Sequence, residues 1–315
     1  MRFGFYLPTR GPLARPGQLT DMAMSAERCG FHSAVIADHV VIPGNVASSY
    51  PYTVSGAFVG EDEALEQLSL MSYIGAKTER LRLVASVMVL PQRNPVVTAK
   101  MLATINVLTG GRVTVGVGVG WMREEFEALH APDFAARGAV SDEYLEIFKR
   151  LWTEEQPSFQ GKHYQFAPVH FAPKPVQRPH PPIWIGGHSK PALRRVAKLG
   201  DGWHPVGATA ASALPPAEVA QKKAAIHAMA EGYGRAPGAI EIAYKAPIYD
   251  GGRAPDGQER RFFSGSAEAI IADIEQFANA GVDELIFDFR SATLAESLER
   301  MEWFAQEILA AAADL

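Results

Sequence analysis

Two short stretches have the clearest chemical meaning, Asp38-His39 and Gly186-Gly187-His188-Ser189. Each follows a run rich in β-branched and apolar residues, Ser33 to Ala37 and Ile183-Trp184-Ile185. Imidazole takes or gives a proton near neutral pH, and His39 stands at a strand end just before a long irregular segment. Adjacent strand residues point to opposite faces, so Asp38 need not touch the His39 ring. Gly186 and Gly187 would let a ligand approach the backbone, and Ser189 opens a helical segment whose free amides favour a phosphate. A plain tight turn with Ser189 as N-cap uses the same residues, and the local sequence leaves both readings open.

Other chemistry is thin. There is no H-E-x-x-H, no Cys/His cluster and no spaced carboxylate pair, so no metal is implied. There is no G-x-S-x-G elbow either. The lone Cys29 falls in step with Leu19, Met22 and Ala26 and reads as a buried, inert thiol. Few nucleophiles beside many glycines and aromatics suit an enzyme whose bound cofactor carries the reactive atom.

The elements that must position these residues alternate along the whole chain. Strands are predicted at Arg2–Leu7, Ser33–Ala37, Leu81–Leu90, Arg112–Val117, Ile183–Ile185, Gly202–His204, Ile240–Ala246 and Glu284–Phe289. Helical spacing fills the gaps, for instance Glu63 to Lys77, Asp142 to Trp152 and Pro216 to Glu231. Val97, Met101, Ile105 and Leu108 repeat at helical spacing and predict one buried face. Strands with no wet face, each followed by a helix, imply a parallel sheet, and eight such units closing on themselves make a (β/α)8 TIM barrel. An open dinucleotide-binding sheet would need G-x-G-x-x-G in the first turn, which here is Pro8-Thr9-Arg10-Gly11-Pro12. The expected organisation is one barrel domain over 1–315, with lid-like insertions near 41–61, 158–182 and 250–261.

Composition narrows the setting. With 47% hydrophobic residues the chain can bury a large core, and a formal charge of −5 without a basic run gives no footprint for nucleic acid or an anionic membrane. The N-terminus lacks a signal-like apolar stretch and no segment is long enough to span a bilayer, so the expected location is cytoplasmic.

In a barrel the chemistry collects at the C-terminal strand ends. Those residues are Asp38 and His39, Ser86-Val87-Met88, Gly118 to Trp121, Gly186 to Ser189, and His204. Trp121 and His204 are candidate walls of a substrate pocket. Trp203 could face the pocket or the core, and Trp184 reads as packing. Arg93 could meet an anion or a dimer partner, while Arg195 and Lys198 reach a phosphate only by curling back along their helix.

Together these motifs resemble the bacterial luciferase-like flavin and deazaflavin oxidoreductases, most closely the branch that uses coenzyme F420. The likeness rests on Ala37-Asp38-His39, Val89 to Pro95, Leu108 to Arg112, Gly116 to Trp121, Pro181 to Gly187 and Gly200 to Trp203, in family order. It implies a barrel, usually a homodimer, with the cofactor at the C-terminal mouth and a cis peptide falling here at Ser86-Val87. It implies that Asp38, Ser86, Val87, Gly118, Gly186, Gly187 and Ser189 bind the cofactor and that His39 is near the reacting carbon. The sugar-phosphate dehydrogenase branch has a catalytic tryptophan and glutamate where this chain has Pro43 and Trp121, which argues against glucose 6-phosphate and leaves the acid role unassigned. The expected activity is hydride transfer between coenzyme F420 and a small organic substrate, with His39 handling the proton. The alternative is an FMN-dependent monooxygenase in which reduced flavin activates oxygen. A flavin or F420 reductase would supply either cofactor, and the substrate's identity stays open.

Overall fold

The computed structural model describes residues 1–58, 63–207, 210–248, 260–312 and 315. Eight parallel strands close a barrel: β1 (Arg2–Leu7), β2 (Ser33–Ile36), β3 (Arg82–Val89), β4 (Val113–Gly118), β5 (Ile183–Gly186), β6 (Gly202–His204), β7 (Glu241–Ile248) and β8 (Glu284–Asp288). They run round the ring in chain order, with β8 pairing β1. The outer helices are α1 (Pro16–Arg28), α2 (Gln67–Gly75), α3 (Pro95–Leu108), α4 (Arg123–Ala128), α5 (Arg137–Thr153), α6 (Lys190–Leu199), α7 (Pro216–Gly232), α8 (Ala267–Asn279) and α9 (Leu294–Phe304). This is the (β/α)8 barrel that the alternating pattern predicts.

Strand alternation splits the apolar residues into two cores. One fills the shell between strands and helices, and the other fills the barrel itself with Val35, Val84, Trp184, Ala243 and Ile286, against which Tyr6 packs. Below that inner layer lies a polar plug, in which Ser33 donates to the fully buried Glu284 and Trp184 Nε1 donates to Glu241 at 2.7 Å. Burial pushes the Glu284 carboxyl up to about 7. With the N-terminal end packed, the C-terminal mouth is the side left for a ligand.

Several local expectations change. Val97, Met101 and Leu108 are exposed, Leu108 by 75%, and only Ile105 of the predicted stripe is buried. The face of α3 that enters the core is instead Thr98, Ala99, Leu102, Ala103, Ile105 and Asn106, in which two large apolar residues alternate with small or polar ones. Helix α2 starts at Gln67 because the Glu66 carboxylate accepts from the amides of Leu68 and Ser69 and so caps it there. Helix α5 starts earlier than predicted, at Arg137, and the short α4 had no separate signal. The insertion at 158–182 contains a two-stranded antiparallel hairpin, Phe159–Gln160 with Gln165–Phe166, followed by cis bonds before Pro173 and Pro179. Cys29 is half-buried at the end of α1. In the other two insertions, residues 59–61 and 250–259 lie outside the described residues. Among the described residues no helix is long and apolar enough to cross a membrane.

Candidate active site

His39 follows β2, and its ring is held from one side. Its Nδ1 lies 3.2 Å from Glu125 Oε2, a carboxylate in the first turns of α4 that is itself buried. The other oxygen of Glu125 accepts from the amides of Val40 at 2.8 Å and Val41 at 3.3 Å. Burial would raise the Glu125 carboxyl, but the bonds from His39, Val40 and Gln92 outweigh it and hold the group below its ordinary value. An ionised acceptor at Nδ1 favours the tautomer with the proton on Nδ1, which leaves Nε2 as the working nitrogen. No described residue bonds to Nε2.

Asp38 turns the opposite way. It is buried, accepts two 2.6 Å bonds from the Arg93 guanidinium, and accepts from the Val89 amide at 2.8 Å. Arg93 also meets Glu66 at 3.3 Å. Both oxygens of Asp38 are thus occupied by protein groups that tie the end of β2 to the end of β3, and Arg93 is spent inside the chain.

The bottom of the mouth is built around the Ser86–Val87 peptide, which is cis, at the position the resemblance implies. The Ser86 hydroxyl lies 2.9 Å from His204 Nε2, and His204 Nδ1 lies 2.7 Å from the Ala243 carbonyl. A carbonyl only accepts, so Nδ1 carries the proton and Nε2 accepts from Ser86. Burial pushes the His204 imidazole down to about 4, which keeps it neutral. At 1% exposure His204 is a support beneath Ser86 inside the barrel, where the sequence had suggested a pocket wall. Val87 projects between two glycines of neighbouring strands. A Cβ at Gly118 would stand 2.7 Å from Val87 Cγ2 and one at Gly186 3.1 Å from Cγ1. The missing Cβ atoms at these two positions form a cradle that receives the Val87 methyls beside the cis peptide.

In the Gly186 turn Gly187 has φ +96°, and the Ser189 hydroxyl accepts from the Ala192 amide as N-cap of α6. Trp203 is buried and pins the turn by donating from Nε1 to the Gly187 carbonyl at 2.9 Å. Trp184 lies in the barrel interior. Arg195 pairs with Asp142 and donates to the Gly138 carbonyl, and Lys198 faces Glu146, so neither curls back to the turn.

Aromatic rings of the first insertion lie over the opening. Phe58 sits 5.4 Å from His39 and 5.2 Å from Trp121, and Tyr50 sits 4.9 Å from Trp121, centroid to centroid. Helix α4 anchors this segment, since Glu124 accepts from the amides of Ala47 and Ser48 at 2.9 Å and the Arg123 amide donates to Ser48. Sequence reasoning missed Glu125, Tyr50 and Phe58. The one available signal was the Glu124-Glu125 pair just after Gly118 to Trp121. Among the described residues no group of three or more His, Cys, Asp or Glu could hold a metal ion.

Known proteins resemble this chain. An uncharacterized protein of Mycobacterium tuberculosis (strain ATCC 25618 / H37Rv) is 36% identical over 64% of this chain and 65% of its own length. The FMNH(2)-dependent dimethylsulfone monooxygenase of Pseudomonas putida is 35% identical over 58% of this chain and 46% of that protein. The F420-dependent glucose-6-phosphate dehydrogenase of Segniliparus rotundus is 29% identical over 60% and 52%. The chain therefore spans less than two thirds of each of these relatives. Two solved structures share the fold: monooxygenase RslO1 from Streptomyces bottropensis, with a TM-score of 0.78, 24% identity and 99% of each chain covered, and an F420-dependent secondary alcohol dehydrogenase in complex with an F420-acetone adduct, with 0.75, 18% and 98% of each. The sequence pattern of the luciferase-like monooxygenases matches residues 1–251, which takes in β1 to β7, the cis peptide, the glycine cradle and the His39–Glu125 pair. By that match, and by the barrel that carries it, the chain belongs to the luciferase-like monooxygenase family.

Proposed function

We propose that the protein is an oxidoreductase that passes a hydride between coenzyme F420 and a small organic substrate, with His39 giving or taking the matching proton. The observation that carries this reading is the His39–Glu125 pair, a proton-handling imidazole locked by a buried carboxylate at the mouth. Hydride transfer to a carbonyl needs a proton delivered to oxygen, and the reverse reaction needs one removed. Gly118, Gly186, Ser86 and Val87 would receive the cofactor ring, and Gly187 with Ser189 its phosphate side. Bound there, the deazaflavin supplies the carbon that carries the hydride. Asp38 acts through Arg93 and Val89 as a support of the site, and Tyr50, Phe58 and Trp121 exclude water above it.

A second reading, reduced FMN with oxygen in a monooxygenase, is favoured by the higher identity to the FMNH(2)-dependent relative, 35% against 29%. A side-by-side titration of the purified protein with FMN and coenzyme F420, followed by fluorescence, decides between them. Micromolar or tighter F420 binding with weak FMN binding is expected; the opposite order would establish the flavin reading.

The exposed stripe of Val97, Met101 and Leu108 on α3 supports a homodimer in which a second copy covers it. A cytoplasmic flavin or F420 reductase would supply reduced cofactor where the reaction runs towards substrate reduction.

A further inference from the structure

One sector of the mouth gathers cations that the proposed reaction does not use. Arg10 comes from the loop after β1, Lys245 from β7, and Arg290 from just beyond β8. They surround Tyr6. The Lys245 ammonium lies 4.3 Å from the Tyr6 ring centroid and the Arg290 guanidinium 5.0 Å from it. Arg10 packs over Phe58 at 5.2 Å and is close enough to Lys245 and Tyr6 to shift both groups electrostatically.

The charges do not balance among the described residues. Asp288 is the acid that faces this cluster, and Arg290 engages it through Nε at 2.8 and 3.0 Å and through Nη2 at 2.5 Å. Lys245 Nζ has no hydrogen bond or ion pair to a described residue. Arg10 Nη1 is buried with no hydrogen-bond partner among the described residues. Burial, reinforced by the neighbouring arginines, pulls the Lys245 ammonium down to about 8, while burial pushes the Tyr6 phenol up to about 12 and keeps it a donor. An enclosed guanidinium nitrogen and a desolvated ammonium both lacking an acceptor are costly to maintain, and an anion would satisfy both.

We infer that Arg10, Lys245 and Arg290 form a site for an oxyanion group of the substrate, a carboxylate, sulfonate or phosphate. The inference rests on the mouth being the active site, as proposed above. It deepens that reading by assigning the substrate's class: a small organic acid anchored at β1, β7 and β8. Strand order separates this site from the phosphate side of the cofactor, because β1 and β5 stand opposite each other in the ring. It also places the anchor beside the reacting end, since β2, which carries His39 at its end, adjoins β1.

The test uses the full chain with benzoate, inorganic phosphate and the uncharged benzyl alcohol as probes, titrated calorimetrically at constant ionic strength. The proteins compared are wild type, Lys245→Met, Lys245→Arg and Arg10→Gln. Saturable binding of at least one anion is expected, weakened roughly ten- to hundredfold by Lys245→Met and by Arg10→Gln and largely retained by Lys245→Arg, with benzyl alcohol indifferent to all three. Arg10→Gln lies in a loop and keeps the test valid if Lys245→Met does not fold. Absence of saturable anion binding, or equal affinity in all four proteins, overturns the site. The same variants are titrated with coenzyme F420 and FMN. Unchanged cofactor affinity supports a substrate anchor, whereas a parallel fall assigns the cations to the cofactor and overturns the inference while leaving the proposed reaction standing. If wild type binds neither cofactor, the proposed reaction fails and the anion titration still decides this site on its own.

Discussion

Glu125 and His39 meet at 3.2 Å across the C-terminal mouth, one from the helix after β4 and the other from the end of β2. Their contact joins two residues that sequence alone does not connect. Replacing His39 by Ala should reduce turnover by roughly 10²- to 10⁴-fold with little change in cofactor affinity. Steady-state rates together with a cofactor titration check this, and undiminished turnover would remove His39 from the reaction.

Glu125→Gln keeps the shape of the contact and removes its charge. The expected loss in kcat is smaller than for His39→Ala, with cofactor affinity unchanged, because the amide still fills the space beside the ring but no longer offers it a charged acceptor. Steady-state kinetics on the variant check this, and a kcat equal to that of wild type would make Glu125 a packing residue only.

The Asp38–Arg93 pair is buried and bidentate. Removing one partner leaves the other charge uncompensated, so Arg93→Met should destabilise the fold by about 3 to 5 kcal/mol. Asp38→Asn with Arg93→Met should recover part of that loss. Denaturant unfolding of the single and double variants measures the coupling, and additive effects would contradict it.

His204 provides a pH signature. Its folded value of about 4 lies below the ordinary 6.5, so the unfolded chain binds the proton more readily between those values. The contribution to stability is complete above pH 6.5 and is lost as the pH falls towards 4, at up to about 1.4 kcal/mol per pH unit. Glu284 has the opposite sign: raised to about 7, it favours folding fully below its ordinary value of 4.5 and loses that contribution as the pH rises through 7. Comparison with His204→Asn isolates the first effect. The stability advantage of wild type should shrink between pH 7 and pH 4.5, and a constant difference would mean that His204 is not held neutral by burial.

The glycine cradle ranks two substitutions. Gly118→Ala brings a methyl within 2.7 Å of Val87, while Gly186→Ala brings one to 3.1 Å, where a small shift suffices. The first should cost about 1 to 3 kcal/mol in stability or cofactor binding, and the second less. Melting temperature and cofactor affinity measured on both variants test that order.

Sequence patterning was enough for the barrel because its signal is local. A strand with no wet face and a helix with one apolar stripe each declare themselves within a dozen residues, and repetition supplies the closure. The pattern misled at α3, where Val97, Met101 and Leu108 are in helical step yet point outward. Spacing shows that residues share a face, but it does not show which way that face is turned.

The strand ends likewise marked out His39 and the glycines, each in its own short motif, while the cis bond at Ser86–Val87 was implied by the family resemblance. What tertiary structure alone decided was partnership. Asp38 adjoins His39 in the chain but is committed to Arg93, and His39 is committed to Glu125 instead. His204 belongs under Ser86, and Arg10, Lys245 and Arg290 converge on Tyr6 from opposite ends of the sequence. A barrel brings strand ends together by closing a ring, so contacts at its mouth depend on strand order and on the inward or outward phase of each residue. Distance along the chain carries neither.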